Sequence, residues 1–246
     1  FIGGYMRRAL VNAGHEVTCY DWADTAPISN VWSKYDWFVH IGANSSTVER
    51  DVEKIMTMNY DYSVMLYEIA AEMGAGFQYS SSASIYGLAS TFQADAPPDP
   101  RNPYAWTKYL FERYVRKNPK DIVTQGFRYF NVYGPEGEDH KGSQASPHNQ
   151  FKRQFEQTGA IKVFENSENY RRDFVHVSKI VDTHIKFFDV PESGIWNIGT
   201  GTTQSFVDVA RLYTNNLVEI PMPEVLRSNY QEYTCADVNK LNQTLN

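Results

Sequence analysis

The stretch "GFQYSSS", residues 76–82, has the form of a short buried β-strand that ends in hydroxyl groups. Its aromatic residues would lie inside a sheet, and its serines would lie at the carboxyl edge. A helical pattern precedes this stretch over residues 52–73, and another follows over residues 104–116. Both place apolar side chains at roughly helical spacing. A strand between two helices is typical of a parallel sheet.

The same alternation extends in both directions along the chain. Further strand-like segments are HEVTCYDW (15–22), YDWFVHIGA (35–43), VTQGFRYFNVYGP (123–135) and IWNIGTG (195–201). The pattern predicts an α/β protein with a Rossmann-like, doubly wound parallel sheet and a smaller substrate-binding lobe. Beyond residue 135 it loosens into a polar loop over residues 136–150, short strands within residues 161–177 and a helix over residues 205–217.

We expect two domains, each made of two pieces of chain. Residues 1–135 and about 175–200 would form the dinucleotide-binding sheet, and residues 136–174 and 201–246 the smaller lobe. Ligands of such sheets bind beyond the carboxyl ends of the strands, so candidate site residues are sought there.

Composition excludes several classes of protein. The chain has 246 residues, and its hydrophobic fraction of 42% is that of a folded protein. Its net charge of −6 does not favour binding to nucleic acid. No apolar run is long enough for a membrane span. Cys19 and Cys235 form no disulfide framework or CxxC pair, so a cytoplasmic setting is expected. No histidines have metal-ligand spacing, so no metal site is expected.

The beginning of the chain resembles part of a dinucleotide-binding turn. "FIGG" (1–4) precedes a helical pattern and then a strand that ends in Asp21. In such folds a glycine turn enters the first helix, and an acid about 20 residues on binds the ribose. Gly3 would be the last glycine of that turn, so the first strand is expected to be missing. A plain Gly-Gly turn and a solvated strand end are the alternatives. Asp21 has no cation before Lys34, which favours NAD.

Three polar side chains form a candidate proton-transfer group. Ser82 ends a strand, and Tyr104 and Lys108 in "YAWTK" lie four residues apart on one helix face. A neighbouring cation favours a phenolate, so Lys108 is expected to lower the pKa of Tyr104. Together the three groups could remove a proton from an alcohol while a hydride leaves its carbon. Ordinary helix surface is the alternative.

Several motifs together resemble a known family. "SSSASIYG" (80–87), "YAWTK" (104–108) and "FRYFNVYGP" (127–135) are similar to the extended short-chain dehydrogenase/reductase family of nucleotide-sugar epimerases and dehydratases. The "HKGS" segment (140–143) and "ENSENYRRDFV" (165–175) resemble its ADP-glycero-manno-heptose 6-epimerases in particular. The resemblance implies an isomerase with NADP as cofactor and an ADP-heptose of lipopolysaccharide core biosynthesis as substrate. Members of the family are often multimers, so the resemblance also leaves a homo-oligomer open.

The resemblance also assigns roles to individual residues. Ser82 would polarise the reacting oxygen, Tyr104 would be the first acid/base, Lys108 its partner, and Lys141 a second acid/base on the other face of the carbonyl. The implied cofactor contacts are Phe1, Ile2, Asp21, Ile41, Gly42, Ala43, Asn44, Ser45, Lys108, Val132 and Lys141, with Gly3 added from the glycine turn. The implied substrate contacts are Ser82, Asn131, His140, Ser143, Phe164, Glu165, Asn166, Ser167, Arg172 and Tyr230.

The chain departs from this family at several positions. The glycine turn is incomplete, and the stretch between Asp21 and Tyr35 is short. A family asparagine falls on Met58, and a substrate-pocket histidine falls on Gln150. These departures leave open another nucleotide-sugar epimerase, a dehydratase, and a non-catalytic NAD(P)-binding module. A dehydratase commonly has Asp-Glu after the serine, where this chain has Ala83 and Ser84.

Overall fold

The computed structural model describes residues 1–21, 35–42, 44–224 and 230–246. The helices are α1 (Ile2–Asn12), α2 (Val52–Met56), α3 (Tyr62–Met73), α4 (Pro103–Lys117), α5 (Pro147–Thr158), α6 (Val177–Lys186), α7 (Phe206–Arg211) and α8 (Asn239–Leu245). A π-helical turn (Thr57–Asp61) joins α2 to α3, and 3₁₀ turns lie at Ala83–Tyr86, Asp139–Gln144 and Phe187–Asp189. The strands are β1 (Trp37–His40), β2 (Gly76–Ser82), β3 (Thr124–Tyr129), β4 (Asn131–Tyr133), β5 (Ile161–Phe164), β6 (Arg171–Arg172), β7 (Phe174–His176), β8 (Gly194–Ile198), β9 (Gln204–Ser205), β10 (Leu217–Ile220) and β11 (Tyr233–Thr234).

The central sheet has the strand order β1-β2-β3-β8, and all its neighbouring strands are parallel. Its register sets Ser82 at the end of β2 beside Tyr129 at the end of β3. The strands predicted within residues 35–43, 76–82, 123–135 and 195–201 are confirmed, as is the α/β fold with a parallel sheet. No helix of the described ranges is long and apolar enough to cross a membrane.

Helices cover both faces of this sheet because successive side chains of a strand point to opposite faces. Phe77 and Tyr79 of β2 pack with Phe111 of α4 and with residues of α3 in one core cluster. Gln78 lies between them and points to the opposite face, where its Oε1 is 2.7 Å from Nδ1 of His184 in α6. With both faces covered, the carboxyl edge of the strands is where a ligand can bind.

Three sequence predictions differ from the structure. Residues 15–21 do not form a strand: a strand needs a hydrogen-bonded neighbour, and in the described part of the chain the sheet ends at β1 on one side and β8 on the other. The predicted loop 136–150 contains a 3₁₀ turn and the start of α5, because Ser146 caps that helix and Pro147 fits its first position. The helix predicted over residues 205–217 ends at Arg211.

Smaller sheets pair β5 with β10, β4 with β7, and β6 with both β9 and β11. The buried carboxylate of Asp173, next to β6, accepts hydrogen bonds from the backbone and hydroxyl of Thr200 (both 2.7 Å), from Gly201 (2.9 Å) and from Ala236 (3.1 Å). A buried charge with several donors is well compensated. Asp173 therefore holds two distant loops beside Arg172.

Buried His184 makes the stability of this fold sensitive to acid. Its Nε2 is 2.5 Å from the Tyr129 hydroxyl, and burial lowers its pKa to about 3. Below its ordinary pKa of about 6.5, the unfolded chain takes up a proton that the folded chain refuses, so the free energy of unfolding falls as pH falls. The contribution of this histidine is complete above that pH and is lost by up to about 1.4 kcal/mol per pH unit down to about pH 3.

The measurement is urea unfolding at several pH values between about 6.5 and 4.5. Replacing His184 with glutamine is expected to flatten the pH dependence, whereas the same change at exposed His15 should leave it unaltered. Equal slopes for the parent and the His184 variant would contradict this account.

Candidate active site

Ser82 and Tyr104 meet where β2 and α4 approach the carboxyl edge of the sheet. Ser82 ends β2, and its hydroxyl oxygen accepts a hydrogen bond from the Ser84 backbone at 3.2 Å. α4 begins at Pro103, because Asn102 caps it by accepting from the Ala105 backbone at 2.9 Å. The half-buried Tyr104 lies in the first turn of this helix, close enough to Ser82 for the serine hydroxyl to act on the pKa of its phenol. The structure thus brings together two of the predicted catalytic groups.

Lys108 lies one turn further along α4 and is 4% exposed. Its Nζ donates to the backbone oxygen of Ser80 at 2.8 Å and to the Ser80 hydroxyl at 3.2 Å. Burial lowers its pKa to about 8, and the Glu112 carboxylate acts in the opposite direction. Since an ammonium has three donors and Ser80 takes two among the described residues, one remains for a ligand hydroxyl.

The direction of the Tyr104 pKa differs from the sequence prediction. Lys108 was expected to lower it, but burial raises the pKa of the phenol, and the hydrogen bond with Ser82 only opposes that rise. The Lys108 Nζ is 5.9 Å from the centre of the Tyr104 ring and is directed at Ser80. Burial therefore sets the direction of the shift, and the resting phenol is held in its protonated form.

The loop after β1, a predicted cofactor contact, is held by a buried side chain that the sequence analysis gave no role. Asn59, on the π-helical turn, accepts from the Asn44 backbone nitrogen at 2.8 Å and donates to its oxygen at 2.9 Å. The same amide donates to Thr107 of α4 at 3.2 Å. Ile41 is fixed by the Ser80 hydroxyl, 3.4 Å from its backbone oxygen. In the sequence, this role is indicated by one asparagine within a helical stretch that is rich in apolar residues.

Lys141, the predicted second acid/base, lies on the 3₁₀ turn after β4. Its Nζ is 3.5 Å from a carboxylate oxygen of Glu138 and 4.5 Å from the centre of the Phe1 ring. Burial lowers its pKa, and the charge of Glu138 opposes this. No hydrogen bond or ion pair of the described residues joins Lys141 to Ser82, Tyr104 or Lys108. The structure therefore groups Lys141 with Phe1, another predicted cofactor contact.

The predicted substrate residues Phe164, Arg172 and Tyr230 come together around a buried guanidinium. Arg172 is 7% exposed, and its guanidinium carbon lies 5.4 Å from the Tyr230 ring and 5.5 Å from the Phe206 ring. Phe164 meets Tyr230 with ring centres 6.5 Å apart. Phe206, which the sequence analysis did not identify, completes this group; its only signal was an aromatic residue at the start of a predicted helix.

The charge of Arg172 has no carboxylate partner in the described part of the chain. Its guanidinium donates to backbone oxygens of Arg171, at 3.0 Å, and Gln231. Burial lowers its pKa, and the neighbouring Tyr230 opposes that shift. A buried, unpaired cation is costly, so an anion bound here would be strongly stabilised. Arg171 differs, because it lies 3.6 Å from Asp208 and is partly exposed.

The other predicted substrate residues lie on loops and strand ends. Asn131 begins β4, and His140 and Ser143 are exposed on the 3₁₀ turn that carries Lys141. Residues 165–167 (Glu165, Asn166, Ser167) form the turn after β5. Asn166 has a φ of 63°, and within the described ranges no other residue except glycine has a positive φ. Such conformations are concentrated at functional sites.

The remaining predicted cofactor contacts lie at several positions. Ile2 and Val132 pack against the same core cluster. Gly3 lies in the first turn of α1, Gly42 and Ser45 lie on the loop after β1, and Asp21 is exposed at the end of an irregular segment. Ala43 lies outside the described residues.

Comparison with known proteins gives concordant results. A sequence profile of the NAD dependent epimerase/dehydratase family matches residues 1–199. An ADP-L-glycero-D-manno-heptose-6-epimerase of Brachyspira hyodysenteriae is 40% identical over 221 residues, covering 85% of this chain and 69% of that protein. A crystal structure of the Helicobacter pylori enzyme of the same name has a TM-score of 0.76 at 27% identity, over 85% of this chain and 66% of its own. A UDP-glucose 4-epimerase of Thermotoga maritima, 22% identical, shares the fold with a TM-score of 0.84, over 100% and 89% of the two chains.

Proposed function

This chain belongs to the NAD dependent epimerase/dehydratase family, and from that premise we propose that it inverts C6 of an ADP-glycero-manno-heptose by transient oxidation and reduction. The observation that carries the proposal is the approach of Tyr104 to Ser82 at the carboxyl edge of the sheet, with the buried amine of Lys108 one turn along the same helix and bonded to Ser80. A protein that only binds a dinucleotide needs no proton donor at that place. The relative from B. hyodysenteriae supports the identity of the sugar.

The residues present fit a nicotinamide dinucleotide. Gly3 and Gly4 lie in the first turn of α1, so no side chain at these two positions would keep a pyrophosphate from the backbone N–H groups. The third donor of Lys108 suits a ribose hydroxyl, and Asn59 holds the loop at Asn44 in a fixed shape. When bound, the dinucleotide supplies the acceptor and later the donor of a hydride.

Two observations disagree on whether the dinucleotide is NAD or NADP. The exposed carboxylate of Asp21 favours a free ribose 2′-hydroxyl and hence NAD, whereas the resemblance to the heptose epimerases favours NADP. Release of the bound dinucleotide from purified protein, followed by mass spectrometry, distinguishes the two.

We propose that side chains of this protein transfer the proton of the C6 hydroxyl, from one face of C6 during oxidation and from the other face during reduction. Ser82 donates to the reacting oxygen. Tyr104 must be ionised to a phenolate when the sugar is oxidised; it then takes the proton of the C6 hydroxyl and returns a proton when the ketone is reduced, while Lys108 holds the ribose. Returning the hydride to the opposite face requires the ketone to turn over, so a second proton donor is useful there. Lys141 is proposed for that role, with burial lowering the pKa of its amine toward the working pH.

Two of the smaller sheets support the proposed division into two lobes. The β5–β10 sheet and the β6–β9–β11 sheet are built only from residues 136–174 and 201–246. This supports nucleotide-sugar binding by those residues and dinucleotide binding by residues 1–135 and about 175–200. Helix α8 is an exception, because Leu241 packs in the cluster beside β3 and β8.

Replacing Arg172 with lysine is expected to weaken binding of the ADP-sugar by about 10- to 100-fold. Lysine keeps the charge but loses the planar fork that binds phosphate oxygens in pairs and the stacking on Phe206 and Tyr230. Isothermal titration with an ADP-hexose measures the effect. The matched control is Arg171→Lys, for which we expect less than about a threefold change because Asp208 already pairs with that residue. Equal losses at both positions would contradict the role of Arg172.

The identity of the sugar is tested by incubating the protein with one C6 epimer of ADP-glycero-manno-heptose and, separately, with UDP-hexoses. Proton NMR follows the configuration of each sugar. Conversion of the heptose alone supports the proposal. Conversion of a UDP-hexose without the heptose would make the protein a different nucleotide-sugar epimerase, and conversion of none would favour a binding module.

A further inference from the structure

Glu138 is a fully buried carboxylate in the loop that carries Lys141. It is 0% exposed, and a carboxylate in the interior is costly unless it is paired and hydrogen bonded. Its Oε1 accepts from the Ser146 hydroxyl at 2.7 Å, and its Oε2 accepts from the Ser146 backbone at 2.8 Å. The same Oε2 lies 3.5 Å from Nζ of Lys141. Glu138, at the start of this loop, therefore contacts both Lys141 within the loop and Ser146 at its end.

The backbone of this loop folds so that Lys141 returns toward Glu138. The Lys141 backbone nitrogen donates to the Glu138 backbone oxygen at 2.9 Å. Gly142 then has a φ of 54°, a conformation that glycine adopts readily, and Ser146 begins α5 as its cap. The lysine is consequently held to Glu138 through its main chain and its side chain.

Other charged groups near Lys141 are few in the described part of the chain. The ring of Phe1, the residue before α1, faces it. From α5, His148 faces Glu138, and His176 at the start of α6 lies near that histidine. The carboxylate of Glu138 is the anion that pairs with Lys141 in the described ranges.

We propose that Glu138 is a positioning residue that fixes the Lys141 amine in the site and sets the pH at which it exchanges its proton. The inference rests on the proposed function, in which Lys141 is the second acid/base. A loop lysine with no fixed partner would sample many rotamers, whereas one held from both its backbone and its side chain presents Nζ in one direction.

The test is Glu138→Gln, read first by labelling and second by turnover. A glutamine can accept from the Ser146 backbone and donate to the Ser146 hydroxyl, so the loop keeps two hydrogen bonds and loses only the charge. Competitive acetylation of the lysine amines over a pH series, with mass spectrometry of the Lys141 peptide, gives the titration midpoint without any substrate. We expect that midpoint to fall by roughly one pH unit, since a cation that loses its anion releases its proton more readily.

Glu136→Gln is the matched control, because Glu136 lies two residues away, is exposed, and pairs with Arg8 instead of Lys141. It should leave the Lys141 midpoint unchanged. Glu138→Asp keeps the charge but shortens its reach, so it should lower the midpoint by less than glutamine does. Circular dichroism identifies which variants are folded. An unchanged or raised midpoint in a folded Glu138 variant overturns the proposal.

Turnover separates this inference from the proposed function. With the ADP-heptose, the pH–rate limb that belongs to Lys141 should move to lower pH in Glu138→Gln by the same amount as the labelling midpoint. A shifted midpoint in a protein that turns over no heptose would refute the proposed function and leave the Glu138–Lys141 coupling standing. A shifted midpoint with an unmoved pH–rate profile would overturn the positioning role.

Discussion

Replacing Tyr104 with phenylalanine is expected to lower turnover of the ADP-heptose by about 10³-fold, within the range that general acid–base groups contribute. The change removes one hydroxyl and keeps the ring that Lys108 approaches at 5.9 Å. Ser82 would still polarise the reacting oxygen, but no group beside it could exchange the proton. Because the proposed role of this hydroxyl is proton transfer and not holding the sugar, the loss should appear in kcat more than in KM.

The matched control is Tyr109→Phe, the same change one turn further along α4. Tyr109 stacks edge-on against the exposed Trp106, with ring centres 5.9 Å apart, and is expected to leave turnover nearly unaltered. Thermal unfolding of both variants checks the fold. Turnover within a few-fold of the parent in Tyr104→Phe would exclude its acid/base role.

Replacing Arg128 with methionine is expected to reduce the free energy of unfolding by about 3–5 kcal/mol, because it leaves a buried carboxylate without its partner. Arg128 of β3 binds Glu112 of α4 in a two-point pair, with Nε–Oε1 at 2.9 Å and Nη2–Oε2 at 2.6 Å. The two side chains are 5% and 0% exposed. The pair joins the helix that carries Tyr104 and Lys108 to the sheet, and the Ser81 hydroxyl donates to the same carboxylate at 2.6 Å.

Urea unfolding measures this change, and two further variants define its cause. Arg101→Met removes a partner of Asp99 from an exposed pair and should change stability little. Adding Glu112→Leu to Arg128→Met removes the stranded charge and should restore much of the loss. A small effect of Arg128→Met alone would show that Glu112 is stabilised without its partner.

The sheet was predictable because its signals are local. Residues 76–82 carry their own apolar start and polar end, and the structure confirms that strand to the residue. Residues 15–21 also include strand-favouring side chains (Val17, Thr18 and Tyr20), but they have no hydrogen-bonded neighbour among the described strands. A neighbouring strand is not a property of the segment itself. The loop containing Lys141 was predicted only as polar, since its turn depends on the contacts of Glu138 with Lys141 and Ser146, three and eight residues further along the chain.

The candidate site was predictable where spacing along one element is sufficient. Residues four apart share a helix face whether the helix is exposed or buried, so the spacing alone identifies Tyr104 and Lys108 as neighbours. Their pKa values depend on burial and on which atoms face them, and the sequence therefore gave the wrong direction for Tyr104. Asn59 and Phe206 act across elements distant in sequence, and such contacts exist only in the folded chain.

The central claim is that C6 is inverted by removal and return of its own hydrogen. The most direct measurement is proton NMR of one ADP-glycero-manno-heptose epimer incubated with the protein in D₂O. Because the hydride leaves and returns within one binding event, the account predicts a mixture of both epimers in which C6 retains protium. Inversion with deuterium at C6 would indicate removal of a proton, and a sugar that keeps its original configuration would contradict the account altogether.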